Sequence, residues 1–303
     1  MTPELLLLGN LLVDDLVFPD GRTRMGQPGG AILYTSLAAA LWGLPVGCVS
    51  LSGSDYPAYA LEALERRGIA LDGVRALNRP GVRTWLLYEG RVRRVIHRLA
   101  SPSHEQVSPT PEQVPQAWRT APMFHLAPMP IAVQESLVRA FGDSGTFLSV
   151  DPHEPITEAT LPRWRELLAH TDAFFPSEDE LRLDDAQTDP RAAMLRLVTG
   201  RLRFVFYKRG LKGGLLYDAR EKQFHEWAAR TNGVADPTGA GDAFAAGFLA
   251  AQRGGLGLSE SLRRAVVTAS FAIEAWGPAS LLEATHADAE ARLRNWYSEE
   301  ARA

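Results

Sequence analysis

The stretch Asp236-Pro237-Thr238-Gly239-Ala240-Gly241-Asp242 carries the residue types that phosphate chemistry uses. Pro237 and the two glycines oppose strand and helix up to Gly241, and residues 243–251 are then a run of strong helix formers. A tight loop therefore feeds a helix N-terminus, whose unpaired amide N–H groups and positive dipole end can hold a phosphate by backbone alone. Asp242, in the first helical turn, would sit beside that phosphate, where a carboxylate can accept the proton of an attacking hydroxyl. Phosphoryl transfer from ATP to an alcohol needs this pairing, and depends on positioning and charge stabilisation more than on covalent chemistry. The plainer alternative makes Thr238 an N-cap and Asp242 a partner of the helix dipole. Two glycines and a small residue on the dipole axis favour the anion site.

Composition narrows what such a site could serve. With 303 residues and 46% hydrophobic content, the chain can bury one large core, or one core and a small appendage. A net charge of -4 speaks against nucleic-acid binding, and the one basic cluster, Arg91, Arg93 and Arg94, reads as the solvated face of a hairpin. Cys48 is the only cysteine, which excludes an internal disulfide and a cysteine-based metal site and fits a reducing cytoplasm. The N-terminal apolar run lacks a basic leader and is broken by Gly9-Asn10, so it reads as a buried strand rather than a signal peptide or membrane span. The seven histidines show no metal-ligand spacing. Neither a P-loop of the Gly-x-x-x-x-Gly-Lys type nor a Gly-x-Gly-x-x-Gly after a strand occurs, so a nucleotide must be held another way.

Elements able to position the loop recur along the chain. Short apolar runs at residues 5–8, 46–51, 123–126, 146–150, 173–175, 204–207 and 214–217 suit strands of a covered, mostly parallel sheet. Helical stretches at 31–42, 59–67, 131–141, 161–169 and 192–198 alternate with them, which predicts one doubly wound α/β domain over residues 1–303. Sites in such sheets gather beyond the carboxyl ends of the strands. Asp14, which ends the first strand region, is placed to accept two substrate hydroxyls there. Residues 82–98 break the alternation as two extended runs meeting at Glu89-Gly90, and residues 12–26 turn at Pro19-Asp20-Gly21. Together these segments predict a small projecting sheet.

At its late loop the chain resembles the ribokinase-like (PfkB) family of carbohydrate kinases, whose signature is Gly-Ala-Gly-Asp followed by an aromatic and a small-residue helix. The resemblance runs from Gly9 to about Ser280. It implies an α/β core with a small β lid that closes to exclude water, and ATP with Mg2+ as cofactors. Asp242 would be the catalytic base, and the amides of Gly239, Ala240 and Gly241 the anion hole. Asp236 and Thr238 would help hold a monovalent cation such as K+, although Pro237 replaces a threonine and removes one hydroxyl. Asp14 would hold acceptor hydroxyls, and Gly29-Gly30 would approach the acceptor from a helix that ends near Leu41-Trp42-Gly43. Tyr34 stands where the family commonly has asparagine, which alters the pocket. Arg98, at the end of the lid hairpin, reads equally as an acceptor contact or as an exposed strand-end arginine. Ser177, in place of an asparagine, and Glu180 match the segment that orients the magnesium–water shell, while Glu178 and Asp179 read as the acidic first turn of a helix. Gly210 and Gly213 match a turn lining the nucleotide, with Lys208 able to touch a phosphate and Lys212 solvated at the tip. A helix over residues 265–275, followed by Trp276-Gly277-Pro278, would correspond to the wall near the adenine and the cation loop.

These residues predict phosphorylation of a hydroxyl on a small sugar or polyol. A nucleoside kinase is the alternative within the class, because Tyr34 could stack a base. A non-catalytic nucleotide- or sugar-binding protein is the alternative outside it. Nucleic-acid and membrane partners are not expected, and a homodimer could form through the open edge of the lid.

Overall fold

The computed structural model describes residues 2–89, 92–98 and 100–298. Gly90 of the expected Glu89-Gly90 turn and Arg91 of the basic cluster lie outside the described residues. Fifteen strands and ten α-helices follow one another along them. The strands are β1 (Leu5–Leu8), β2 (Leu12–Val17), β3 (Thr23–Gly29), β4 (Val46–Ser52), β5 (Ala70–Ala76), β6 (Arg83–Glu89), β7 (Val92–His97) and β8 (Met123–Leu126). There follow β9 (Phe147–Val150), β10 (Ile156–Thr157), β11 (Ala173–Phe174), β12 (Leu181–Arg182), β13 (Phe204–Lys208), β14 (Gly214–Asp218) and β15 (Gln223–Trp227). The helices are α1 (Ala31–Leu41), α2 (Ala58–Arg66), α3 (His104–Val107), α4 (Ile131–Phe141), α5 (Leu161–Leu168), α6 (Pro190–Leu197), α7 (Ala240–Arg253), α8 (Leu258–Ile273), α9 (Ala279–Glu283) and α10 (His286–Tyr297).

Nine strands form one sheet in the order β15-β14-β13-β11-β9-β8-β1-β4-β5. Neighbours from β13 to β5 run parallel, and β14 and β15 return antiparallel at one edge. The chain starts at β1, winds outward through β4 and β5, then crosses back to β8, β9, β11 and β13 on the other side of β1. That is a doubly wound sheet, whose strand order reverses at β1. Burial on both faces explains the all-apolar β1: Leu5 and Leu7 join the core beneath α1, α7 and α8, while Leu6 and Leu8 join the core beneath α4, α5 and α6. Helix α6 begins two residues before the expected start, because the Asp189 carboxylate accepts from the Ala192 amide at 3.0 Å and Pro190 takes the first helical position. The helix expected over 265–275 extends back to Leu258.

Segments 12–29 and 83–97 meet in a separate four-stranded sheet, β3-β2-β6-β7, in which β2 and β6 run parallel and the two outer pairs antiparallel. Its first hairpin runs on to Gly29, beyond the expected end at residue 26, so Gly29 is itself a strand residue. Leu16, Phe18, Leu86 and Tyr88 on one face pack against Trp276, in the loop after α8, with Trp276 ring centroids 4.4 Å from Phe18 and 5.1 Å from Tyr88. Elsewhere on this sheet Met25, Trp85, Val95 and Ile96 are 44–50% exposed. No helix of the described residues is long and apolar enough to cross a membrane.

Candidate active site

Helix α7 begins at Ala240, one residue before Gly241, which corrects the expectation that helix is opposed through Gly241. Gly239, not Thr238, is the N-cap, and it takes φ 79°, a left-handed conformation that suits glycine. The ring of Tyr34 gives a second reason for glycine, since a Cβ on residue 239 would collide with it. The first i→i-4 bond of the helix runs from the Ala243 amide to the Gly239 carbonyl at 2.9 Å. Residues 240–242 thus form the first turn, ahead of the i→i-4 ladder, and the Ala240 amide leans on the Pro237 carbonyl at 3.4 Å. The first-turn amides are therefore those of residues 240–242, one residue further on than the sequence suggested.

Lys208 reaches this turn from the end of β13. A Cβ on Gly241 would lie 3.1 Å from its Nζ, so the ammonium faces the helix N-terminus. It donates to both oxygens of Asp151, at 3.0 and 2.8 Å, and the two side chains are 13% and 3% exposed. Asp151 follows β9, so both charges project from carboxyl ends of parallel strands. Burial opposes the Lys208 charge, but Asp151, Glu180 and Asp242 outweigh it and hold its pKa above the ordinary lysine value. For Asp151 burial is the largest influence and pushes its carboxyl up, with Lys208 opposing. Glu180 stands close by: its carboxylate accepts from the Ser177 amide at 2.7 Å and the Ser177 hydroxyl at 2.8 Å. This segment is a turn bridged to β13, not the expected acidic start of a helix, because the Glu178 amide bonds the Lys208 carbonyl at 2.8 Å. Gly210 and Gly213 bound a 3-10 turn after β13, whose exposed Lys212 pairs with Glu178 at 3.0 Å.

Asp14 does not end a strand of the large sheet. It lies inside β2 of the small sheet, 6% exposed, and takes a hydrogen bond from the Thr84 hydroxyl of β6. Its carboxylate covers Gly29, where any Cβ would collide with it, which is why strand β3 ends in glycine. Gly30, the N-cap of α1 at φ 98°, packs against the Asn10 carbonyl. The neighbouring Asp15 is structural: it forms a bidentate pair with Arg83 at 2.7 and 2.8 Å and accepts from the Gly26 amide at 2.7 Å. Arg98 is exposed after β7, which is the strand-end reading.

Tyr34 lies between the two halves. It is 2% exposed and its ring is taken up by Gly239, so the surface expected to stack a base is not offered. Burial, then the charges of Asp236 and Asp14, push its phenol well above the ordinary tyrosine value, and it remains a neutral hydroxyl.

Asp236 ties the loop to its surroundings. It is 1% exposed and accepts from the Tyr88 hydroxyl at 2.7 Å, the Thr238 amide at 2.9 Å and the Gly277 amide at 3.1 Å. These three donors fix the carboxylate of Asp236 within the loop. Sequence reasoning missed Tyr88, which brings the small sheet onto the loop. Replacing it by Phe removes a donor to a buried carboxylate, and is expected to cost about 1.5–3 kcal/mol. The melting temperature should fall by several degrees; an unchanged value would mean that the two amides alone hold Asp236.

Lys208 and the N-terminus of α7 thus meet at the carboxyl ends of the parallel strands of a doubly wound sheet, with Asp242 among the charges that act on the lysine. The chain belongs to the pfkB family of carbohydrate kinases, whose model matches residues 19–285. It is similar to the cytidine kinase of Thermococcus kodakarensis, with 30% identity over 283 residues, 92% of this chain and 99% of that protein. Among solved structures, the nucleoside kinase of Burkholderia thailandensis in complex with inosine superposes with a TM-score of 0.78 at 17% identity, covering 97% of this chain and 99% of that one. The ribokinase of Arabidopsis thaliana complexed with ribose and ATP gives 0.75 at 23% identity, covering 97% and 99%. These structural likenesses show the fold.

Proposed function

We propose that the chain is an ATP-dependent nucleoside kinase. The observation that carries the acceptor class is a wall of three histidine rings, in which His97 meets His104 edge-to-face at 5.1 Å and His104 meets His153 at a tilt, 5.0 Å apart. A planar base suits such a wall, whereas a bare sugar needs chiefly polar contacts. The end-to-end similarity to a cytidine kinase supports the same reading.

Magnesium–ATP, when bound, supplies the transferable phosphoryl group with its charge partly neutralised. The residues fit it: the ammonium of Lys208 and the first turn of α7 converge on one point, and Glu180 is poised beside them. Asp242 takes the proton of the acceptor hydroxyl, and the first-turn amides stabilise the charge that develops. Asp14, fixed by Thr84, orients the acceptor. The small sheet acts as a lid that keeps water out, tied to the loop through Tyr88 and to Trp276. Its exposed Trp85 and Ile96 would be covered in the homodimer proposed through this lid, which sedimentation velocity tests.

An ADP-release assay over nucleosides, sugars and polyols tests the acceptor. Turnover is expected with nucleosides. ADP release with a sugar or polyol alone would return the acceptor to the class first read from the sequence, and none with any acceptor would leave a binding protein.

A further inference from the structure

Strand β6 carries Thr84, Leu86 and Tyr88 on one face, since alternate residues of a strand point the same way. All three are buried, whereas Trp85 between them is 44% exposed. The two hydroxyls of that face, about 13 Å apart by the rise of an extended strand, end on two different parts of the molecule. Thr84 donates to the carboxylate of Asp14, its register partner on β2. Tyr88 donates to the carboxylate of Asp236 at 2.7 Å. A phenol has one proton to give, so the Thr238 hydroxyl, 3.2 Å away, donates to the Tyr88 oxygen.

Tyr88 thereby grips both ends of Asp236-Pro237-Thr238, and the next residue, Gly239, is the N-cap of α7. Other bonds of Asp236 come from the Thr238 amide at 2.9 Å, the Gly277 amide at 3.1 Å and, to its own amide, the Ile273 carbonyl at 3.2 Å. Those contacts lie within the α/β core, while the Tyr88 hydroxyl comes from the small sheet. β6 is an interior strand of that sheet, paired with β2 on one side and β7 on the other. Bending it would break ladder bonds on both sides, so a displacement at Thr84 is passed on to Tyr88 rather than absorbed. Leu86 packs with Leu16, Phe18 and Tyr88, and Trp276 braces the same face from the loop after α8.

We propose that Thr84 and Tyr88 are positioning residues that couple the two substrate sites through β6. An acceptor seated on Asp14 settles the strand, the Tyr88 hydroxyl settles the 236–238 loop, and the first turn of α7 is set for phosphate. This coupling rests on the proposed function in one respect, that the acceptor lies at Asp14 and the phosphoryl donor at α7; it holds for a nucleoside or a sugar alike. Coupling free energies are reciprocal, so bound nucleotide tightens the acceptor by the same factor. ATP bound alone meets a loop that is held less firmly, which limits its loss to water.

The test measures the dissociation constant of magnesium adenylyl imidodiphosphate, a non-hydrolysable ATP analogue, by calorimetric titration, alone and with saturating cytidine, or ribose if cytidine does not bind. Wild type, Tyr88→Phe, Thr84→Val, Thr84→Ser and Asp14→Ala are compared, with melting temperatures recorded for each. In the wild type the acceptor is expected to tighten the analogue at least about fivefold, the lower end of typical couplings. Tyr88→Phe keeps the ring against Phe18 and Trp276, and Thr84→Val keeps the side-chain shape; each should bring the ratio to within about twofold of one. Thr84→Ser returns the hydroxyl and should restore the ratio. Combining Tyr88→Phe with Thr84→Val should change it no further, because both break one connection. A wild-type ratio near one overturns the coupling, and so does a ratio kept in Tyr88→Phe and Thr84→Val while their melting temperatures fall, the sign of merely structural hydroxyls. In either case phosphorylation of cytidine or ribose still upholds the kinase assignment. Unchanged acceptor binding in Asp14→Ala, or no binding of either compound to the wild type, overturns the acceptor site itself and the coupling with it. If Tyr88→Phe does not fold, the contrast between Thr84→Val and Thr84→Ser decides.

Discussion

Asp242→Asn is expected to lower kcat by about 10²–10⁴-fold while leaving the dissociation constant for ATP within a few-fold of its wild-type value. The substitution keeps the shape of the side chain and removes only its capacity to take a proton. Asp242 lies in the first turn of a fourteen-residue helix whose N-cap, Gly239, is fixed independently by its left-handed backbone and by the Tyr34 ring, so the loop should hold its course. Loss of one acidic residue at a helix N-terminus costs about 0.3–1 kcal/mol, too little to unfold the chain. Rapid-quench measurement of the chemical step and calorimetric titration with ATP separate the two effects. A kcat near that of the wild type would remove Asp242 from the role of base.

Lys208→Met is expected to have the largest combined effect on stability and turnover. Asp151, 3% exposed, would lose the ammonium that now bonds both its oxygens. Breaking a buried pair by deleting one partner costs about 3–5 kcal/mol, because the remaining charge is uncompensated. The pH dependence has a definite sign. Burial already raises the Asp151 carboxyl, and without Lys208 it rises further. The native state then holds a proton that the unfolded chain has released, so the stability of the variant falls as pH rises above the ordinary aspartate range. Its deficit against the wild type should therefore be small near pH 4 and grow toward alkaline pH, as denaturant titrations across that range would show. Turnover should drop about 10²–10³-fold, the usual consequence of removing one transition-state donor. A deficit independent of pH would mean that Asp151 finds another partner. Full activity would take Lys208 out of the phosphate site.

Much of the architecture was legible because the buried strands carry their own signal. β1, β8 and β13 are covered on both faces, and their largely apolar runs fall at or within one residue of the expected bounds. The two edge strands, β5 and β15, were not legible, since each is paired on one side only. Their sequences, Ala-Leu-Asp-Gly-Val-Arg-Ala and Gln-Phe-His-Glu-Trp, alternate or mix polarity, and the backbone of the neighbouring strand sets their register.

Within the site the same division holds. The loop from Asp236 to Asp242, the glycines at 29 and 30 and the acidic residue at 180 are local patterns, because a helix N-terminus and a tight turn are built from consecutive residues. Asp151 had a signal that went unused: it follows an apolar strand, the same rule that drew attention to Asp14. Tyr88 and Thr84 had none. Each acquires its chemistry only from a partner 70 to 148 residues away along the chain. Tyr34 shows the limit most plainly, as its type suggested a platform for a base and its packing made it a wedge against Gly239.

By itself the sequence determined the reaction class, since phosphate binding at a helix start with an adjacent carboxylate needs only consecutive residues in fixed order. The tertiary structure alone decided what surrounds that loop: the Lys208–Asp151 pair, the small sheet held to Asp236 through Tyr88, and the Tyr34 ring set against Gly239. Those contacts are hydrogen bonds and ion pairs between distant segments, whose strength comes from burial and alignment, and neither exists until the sheet has formed.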